Sequence, residues 1–247
     1  MEPINTFVET QSAQRFSGTS GPQSLEATQP VAATIIEPLV LLILVGLPGS
    51  GKSAFAESLV RHSHDPSWPG ERKWIRASQD DAPSRRRQEC EAIARDGLRA
   101  GCHVIVDRVG FDRTQRAHFI AIGNATNPRP KIYCLILPVS LPTLHARLQL
   151  RPTHPTLLDP ETAIRVLGQM ARQFYPPTPN IVEGFDLVFA LPELDQPARG
   201  QWAMQDVRRV MGRIESFGEK EMRPWQSSPS FHAYHVPSSG RSIRGHR

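Results

Sequence analysis

Eight consecutive residues, Gly46-Leu47-Pro48-Gly49-Ser50-Gly51-Lys52-Ser53, bring three glycines, a cation and a hydroxyl to the spacing GxxxxGK[ST]. The chemistry this suits is capture of a polyphosphate. Backbone N–H groups converge on a phosphate only where no Cβ intrudes. Gly46, Gly49 and Gly51, with Pro48 and Ser50 completing the turn, let the main chain wrap a β-phosphate. A helix starting near Lys52 adds the positive end of its dipole. Lys52 reaches the β- and γ-phosphates, and the Ser53 hydroxyl is placed to ligate Mg²⁺. ATP and Mg²⁺ are therefore the expected ligands. A plain flexible Gly/Ser connection is the competing reading, and what separates the two is context: the nucleotide motif needs a buried strand before it and a helix after it.

That context is present. Leu39–Val45 is an unbroken apolar run that reads as a buried strand, and Ser53–His62 reads as its helix. Further along, Lys73–Ala77 reads as a second strand and Arg85–Arg99 as a helix with Ile93, Ala94 and Leu98 on one face. His103–Val109 (HVIVDRV) gives a third strand, Asp112 caps a helix over Arg113–Gly123, and Lys131–Pro138 gives a fourth strand. Helices follow over Leu141–Leu150 and Pro160–Gln173, with a last strand at Asp186–Pro192. Strands separated by helices imply an α/β fold, a parallel sheet sandwiched by helices in the manner of P-loop kinases. Ligands then bind at the carboxyl ends of the strands.

Carboxylates at those ends are the next candidates. Asp107 closes the third strand, where it either helps hold Mg²⁺ and orient Ser53 or simply caps the turn that follows. Asp80 and Asp81 follow the second strand. Adjacent side chains project differently, so the reading places Asp80 in the cleft and leaves Asp81 as a helix N-cap ahead of a helix starting near Ser84.

Several stretches together, GLPGSGKSAFAESL, RASQDDAPSRRRQECEAI, VIVDRVGFDRTQRAHF, RLQLRPTHPTL and RQFYPPTPNIVEGFD, resemble the P-loop kinase domain of the polynucleotide 5′-hydroxyl kinase family. The likeness is strongest to the fungal and plant modules found alone or beside aprataxin-type domains, and it covers roughly residues 39–192. It implies that Asp80 is the general base taking the proton of a 5′-hydroxyl. It also implies that Asp107 and Asp112 are the third-strand acid and the helix cap behind it. Arg147 and Arg151, at i and i+4, correspond to lid arginines that reach the migrating phosphate. Their position ahead of the Pro152–Pro155 stretch suits a mobile segment, although a solvated basic helix face has the same composition. The chain departs from the family pattern at two places: Ala82-Pro83 stands where relatives continue Leu-Gly, and Val109-Gly110 where Asn or Cys-Asn is usual. Both lie beside the expected acceptor.

Arg85, Arg86 and Arg87 either grip a nucleic-acid phosphate or solubilise a helix start; basic charge at a helix N-terminus favours a bound anion. Trp68 and Trp74 are read as core aromatics rather than base-stacking platforms, and His154 as a lid residue. Three cysteines without C-x-x-C spacing suggest reduced thiols, as in cytoplasm or nucleus, and no zinc site.

A net charge of +5 over 247 residues favours a polyanionic partner. No apolar run approaches a membrane span, and no targeting signal is evident. Residues 1–38 (four acids, one arginine) and 219–247 (five bases, two acids) are Ser/Pro-rich without apolar period and read as disordered tails around a kinase domain at 39–218. The expected function is ATP-dependent phosphoryl transfer to a nucleic-acid 5′-hydroxyl end. The alternatives are a kinase of a nucleoside or sugar and a non-catalytic ATP-binding module.

Overall fold

The computed structural model of the chain describes residues 37–150, 159–177, 182–198 and 200–219. Both tails of the sequence reading lie almost wholly outside these, as do Arg151 and His154. In chain order the elements are β1 Val40–Val45, α1 Lys52–Ser63, β2 Trp74–Ser78, α2 Arg87–Arg99, β3 His103–Asp107 and α3 Arg113–Ala125. There follow β4 Lys131–Ile136, α4 Leu141–Gln149, α5 Pro160–Gln173, β5 Leu187–Ala190, a 3₁₀ turn at Glu193–Asp195 and α6 Met204–Glu219.

All five strands are parallel, in the order β2-β3-β1-β4-β5. β1 is therefore central, and its side chains alternate between two cores. Leu42 and Leu44 pack on Phe55 and Leu59 of α1 and on Val207, Val210, Met211 and Ile214 of α6. Leu41 and Ile43 pack on Ala94 and Leu98 of α2 and Phe119 and Ile120 of α3. A strand buried on both faces has no polar alternation, which is why β1 reads as a continuous apolar run.

Some boundaries differ from the sequence reading for local reasons. α2 begins at Arg87, two residues late, because Arg85 takes a left-handed backbone (φ 52°) and Arg86 is extended. Neither Asp80 nor Asp81 caps it, which corrects the cap assigned to Asp81. β2 ends at Ser78 rather than Ala77, with Ser78 in register with Asp107. Asp112 does cap α3, accepting a hydrogen bond from the Gln115 backbone at 2.8 Å. α6 is absent from the sequence reading, although Val207, Val210, Met211 and Ile214 fall at i, i+3, i+4 and i+7.

Trp74 is buried beside His103, ring centroids 4.9 Å apart, as a core aromatic. Burial pushes the Cys90 thiol up to about 12 and raises Cys134 as well, so both are inert at neutral pH. Among the described residues no helix is long and apolar enough to cross a membrane.

Candidate active site

The sheet order changes direction at β1: its chain successor β2 lies beyond β3 on one side, and β4 joins on the other. A crevice opens at the carboxyl ends of strands at such a point. Here it is a cavity of about 860 Å³ whose walls include Gly49, Lys52, Ser53, Asp80, Asp107 and Arg147. The motifs separated by a hundred residues in sequence thus meet in one place. Pro48 and Gly51 also line it.

The turn after β1 is folded as its glycines require. Gly51 sits at φ 93° at the start of α1, a conformation that strains any residue with a Cβ. A Cβ on Gly46 would lie 2.5 Å from the Ser50 hydroxyl, so that position must be bare for the turn to close. Buried Ser50 and the first carbonyls of the turn hold the lysine: Lys52 Nζ donates to Gly46 O at 2.8 Å, Leu47 O at 3.0 Å and Ser50 Oγ at 3.3 Å. An ammonium group has three donors, so contact with a phosphate requires Lys52 to exchange some of these partners. Arg147 reaches over the turn from α4, donating to Gly49 O at 3.3 Å. A cation from a separate helix thus lies beside the glycine-rich turn.

Asp107 is buried, and its partner was not foreseen. Arg76, in the middle of β2, donates to Asp107 Oδ2 through Nε at 2.9 Å and Nη2 at 2.5 Å, and its Nη1 reaches Asp81 Oδ2 at 2.6 Å and Glu57 Oε1 at 3.2 Å. Burial opposes the Arg76 charge, but Asp107, Asp81 and Glu57 outweigh it and raise its pKa above the ordinary arginine value. Asp81 is thereby held by Arg76 rather than by a helix end. Asp80 is exposed on the cavity wall and makes no hydrogen bond or ion pair among the described residues.

The residues present suit a hard cation bound mostly through phosphate and water. Both Arg76 contacts fall on Asp107 Oδ2, which leaves Oδ1 for a metal or a metal-bound water, and Ser53 stands at the first turn of α1 on the same cavity. Among the described residues no group of three or more His, Cys, Asp or Glu forms a preformed metal cage.

Other parts of the site escaped the sequence reading. Ala198 and Gly200, between the 3₁₀ turn and α6, line the cavity. Arg116 is fully buried on α3: its Nε and Nη2 bind Glu183 at 2.8 and 2.6 Å, and Nη1 donates to the carbonyls of Gly110 and Tyr175, each at 2.9 Å. It ties the cavity wall after β3 to the segment after α5. Gly110 has φ 53°, and its Cβ would lie 3.0 Å from Leu44 O. A left-handed backbone this close to a strand carbonyl favours glycine, so the loop as folded here suits Gly110 better than the Asn usual in relatives. Ala82 is buried, so the other departure begins under the loop. Of the basic cluster, Arg87 is committed to Glu91 at 2.9 Å and His118 at 2.7 Å.

Comparison with known proteins agrees with this geometry. The family described as AAA domain matches residues 41–177. Transcription factor bHLH140 of Arabidopsis thaliana is 28% identical over 184 residues, 73% of this chain and 18% of that protein, so the chain spans less than a fifth of that relative's length. The crystal structure of a fungal RNA kinase superposes with a TM-score of 0.53 at 14% identity, covering 79% of this chain and 95% of that one. Kti12 of Chaetomium thermophilum in complex with ADP-AlF3 gives 0.48 at 16%, covering 70% and 98%. The match across more than half of the residues, on a parallel sheet with its phosphate loop in place, makes this chain a member of the AAA domain family with a P-loop kinase-like fold.

Proposed function

We propose that the protein is an ATP-dependent phosphotransferase that moves the γ-phosphate to the 5′-hydroxyl of a polynucleotide. The observation carrying this is the composition of one cavity: glycine-rich phosphate loop, acidic strand end, overhanging arginine and a carboxylate, Asp80, that has no partner among the described residues all line the same space. A passive nucleotide binder needs the first of these and has no use for the last.

In this reading the turn and Lys52 hold the β- and γ-phosphates, and Ser53 with Asp107 holds Mg²⁺, which supplies charge neutralisation when bound. Arg76 fixes the Asp107 carboxylate. Asp80 takes the proton as the acceptor's O–H bond breaks, the acceptor oxygen bonds to Pγ, and the bond from Pγ to the β,γ-bridging oxygen breaks with its electrons going to ADP. Arg147 follows the charge that spreads over the moving phosphoryl group, and Arg151, outside the described residues, is assigned the same task. A polynucleotide acceptor is supported by the sequence likeness to 5′-hydroxyl kinases, by the net charge of +5 and by the fold shared with a fungal RNA kinase. The activity of the much longer plant relative is not carried over.

The test is transfer of labelled phosphate from γ-labelled ATP to 5′-hydroxyl DNA, RNA, nucleosides and sugars, with Lys52→Ala as control. Label on oligonucleotides that vanishes in the control supports the proposal. Label only on nucleosides or sugars would establish a small-molecule kinase, and ATP binding without any transfer would establish a regulatory module.

A further inference from the structure

One guanidinium serves both halves of the cavity. Arg76 stands on β2 two residues before Ser78, and Ser78 is in register with Asp107, so Arg76, Ser78 and Asp107 share one face of the sheet. There the fork of the arginine divides. Nε and Nη2 donate to Asp107 Oδ2, whereas Nη1 reaches Asp81 Oδ2 at 2.6 Å and Glu57 Oε1 at 3.2 Å. The two arms differ in strength. The Asp107 side chain is 4% exposed, and a charged pair kept from water is hard to break; those of Asp81 and Glu57 are each 61% exposed, and their contacts exchange readily with water.

The weaker arm holds the turn that carries Asp80. Asp81 is pinned twice, by its carboxylate to Arg76 and by its backbone N–H, which donates to Ser78 Oγ at 3.4 Å. On the other side of Asp80, Gln79 Nε2 donates to Arg85 O at 2.8 Å, and the Ala82 N–H donates to Gln79 O at 3.3 Å. The Asp80 side chain has no partner among the described residues, so these neighbours set its place. A general base depends on that place, since a misplacement of about 1 Å costs up to about 100-fold in rate.

We propose that Arg76 is a positioning residue that locks Asp80 to Asp107: the arm on Asp107 anchors the guanidinium, and the arm on Asp81 fixes the turn that carries Asp80. The inference rests on the kinase reading and deepens it, because one side chain then sets the spacing between the acceptor's base and the acid on the donor side. Lysine cannot do this. The two carboxylates meet different nitrogens of a rigid fork, and an ammonium group is a single point.

The test uses the full-length chain and three measurements: transfer to a 5′-hydroxyl oligonucleotide, binding of a non-hydrolysable ATP analogue, and backbone hydrogen exchange over residues 79–82. Asp81→Ala frees the turn without touching Asp107. It should lower kcat about 10- to 100-fold, leave analogue binding unchanged and speed exchange over residues 79–82. Asp81→Asn, whose amide oxygen still accepts, should lose less. Arg76→Lys should keep Asp107 engaged and release Asp81, so combining it with Asp81→Ala should be no worse than the poorer single variant. Glu57→Gln removes the same charge from beside Arg76 and should leave transfer unchanged. Wild-type kcat in Asp81→Ala overturns the lock, and so do losses that multiply in the double variant or a loss in Glu57→Gln equal to that in Asp81→Ala. If Arg76→Lys does not fold, Asp81→Ala and Glu57→Gln decide. Should the wild-type protein transfer phosphate to no acceptor, the kinase reading falls and hydrogen exchange judges the lock alone: faster exchange over residues 79–82 in Asp81→Ala upholds it, and unchanged exchange ends it.

Discussion

Replacing Arg116 with Met tests whether the cavity wall is held by the buried clamp described above. Arg116 and the Glu183 carboxylate are 0% and 2% exposed, so the substitution strands a carboxylate that water cannot reach. Losing one member of a buried pair costs about 3–5 kcal/mol, and the Gly110 and Tyr175 carbonyls lose a donor as well. Against a total stability of about 5–15 kcal/mol this removes about a fifth or more, a fall of roughly 10 °C in melting temperature for a domain of this size. Urea unfolding of wild type, Arg116→Met, Glu183→Gln and the double variant measures it. The double variant should recover part of the loss, because a neutral amide is cheaper to leave buried than a carboxylate. A loss below about 1 kcal/mol in Arg116→Met, or strict additivity in the cycle, refutes the clamp.

Three other outcomes are expected. His103, half-buried and accepting a hydrogen bond from the Val40 backbone at 3.0 Å, is held down to about 4 by burial and by Arg72. The unfolded chain then binds the proton first, so stability is intact above about pH 6.5 and falls between 6.5 and 4, by at most about 3 kcal/mol; His103→Gln should flatten that limb in pH-dependent melting. Arg147→Ala should lower kcat about 100-fold or more while changing ATP affinity little, since the charge it meets spreads only during transfer; equal loss in binding with kcat unchanged would make it a binding residue. Ser53→Ala should raise the Mg²⁺ concentration needed for half-maximal turnover, and a titration identical to wild type would remove Ser53 from the metal shell.

The donor half of the site was legible because its physics is local. A phosphate loop needs glycines, Lys52 and Ser53 at fixed spacing, and an apolar strand directly before them, all within one short segment. The three inner strands, β1, β3 and β4, were legible for a related reason: covered on both faces, they are apolar runs rich in Val, Ile and Leu. What could not be read was pairing across the fold. Nothing local to Arg76 says that it holds Asp107, Asp81 and Glu57, although a charged residue in the middle of a short strand signals a partner elsewhere in the fold. Arg116 gave a stronger one, since with Phe119, Ile120 and Gly123 it lies at i, i+3, i+4 and i+7 on the buried face of α3. A cation on an apolar face must find a buried acid, and Glu183 is 67 residues away. α6 carries the plain helical period at Val207, Val210, Met211 and Ile214, but it adjoins a polar C-terminal composition that masks it.

The most direct test of the account is phosphate transfer from ATP to a 5′-hydroxyl oligonucleotide by wild type and Asp80→Asn, with ATP binding measured in parallel. Asp80 is exposed on the cavity and caps no helix, so Asn there should preserve the fold and ATP binding. As general base it should nonetheless be worth about 10²- to 10⁴-fold in transfer. The account predicts wild-type transfer and a loss of that size in Asp80→Asn with ATP affinity unchanged. Near-wild-type transfer by Asp80→Asn, or no transfer by the wild-type protein to any oligonucleotide, would contradict it.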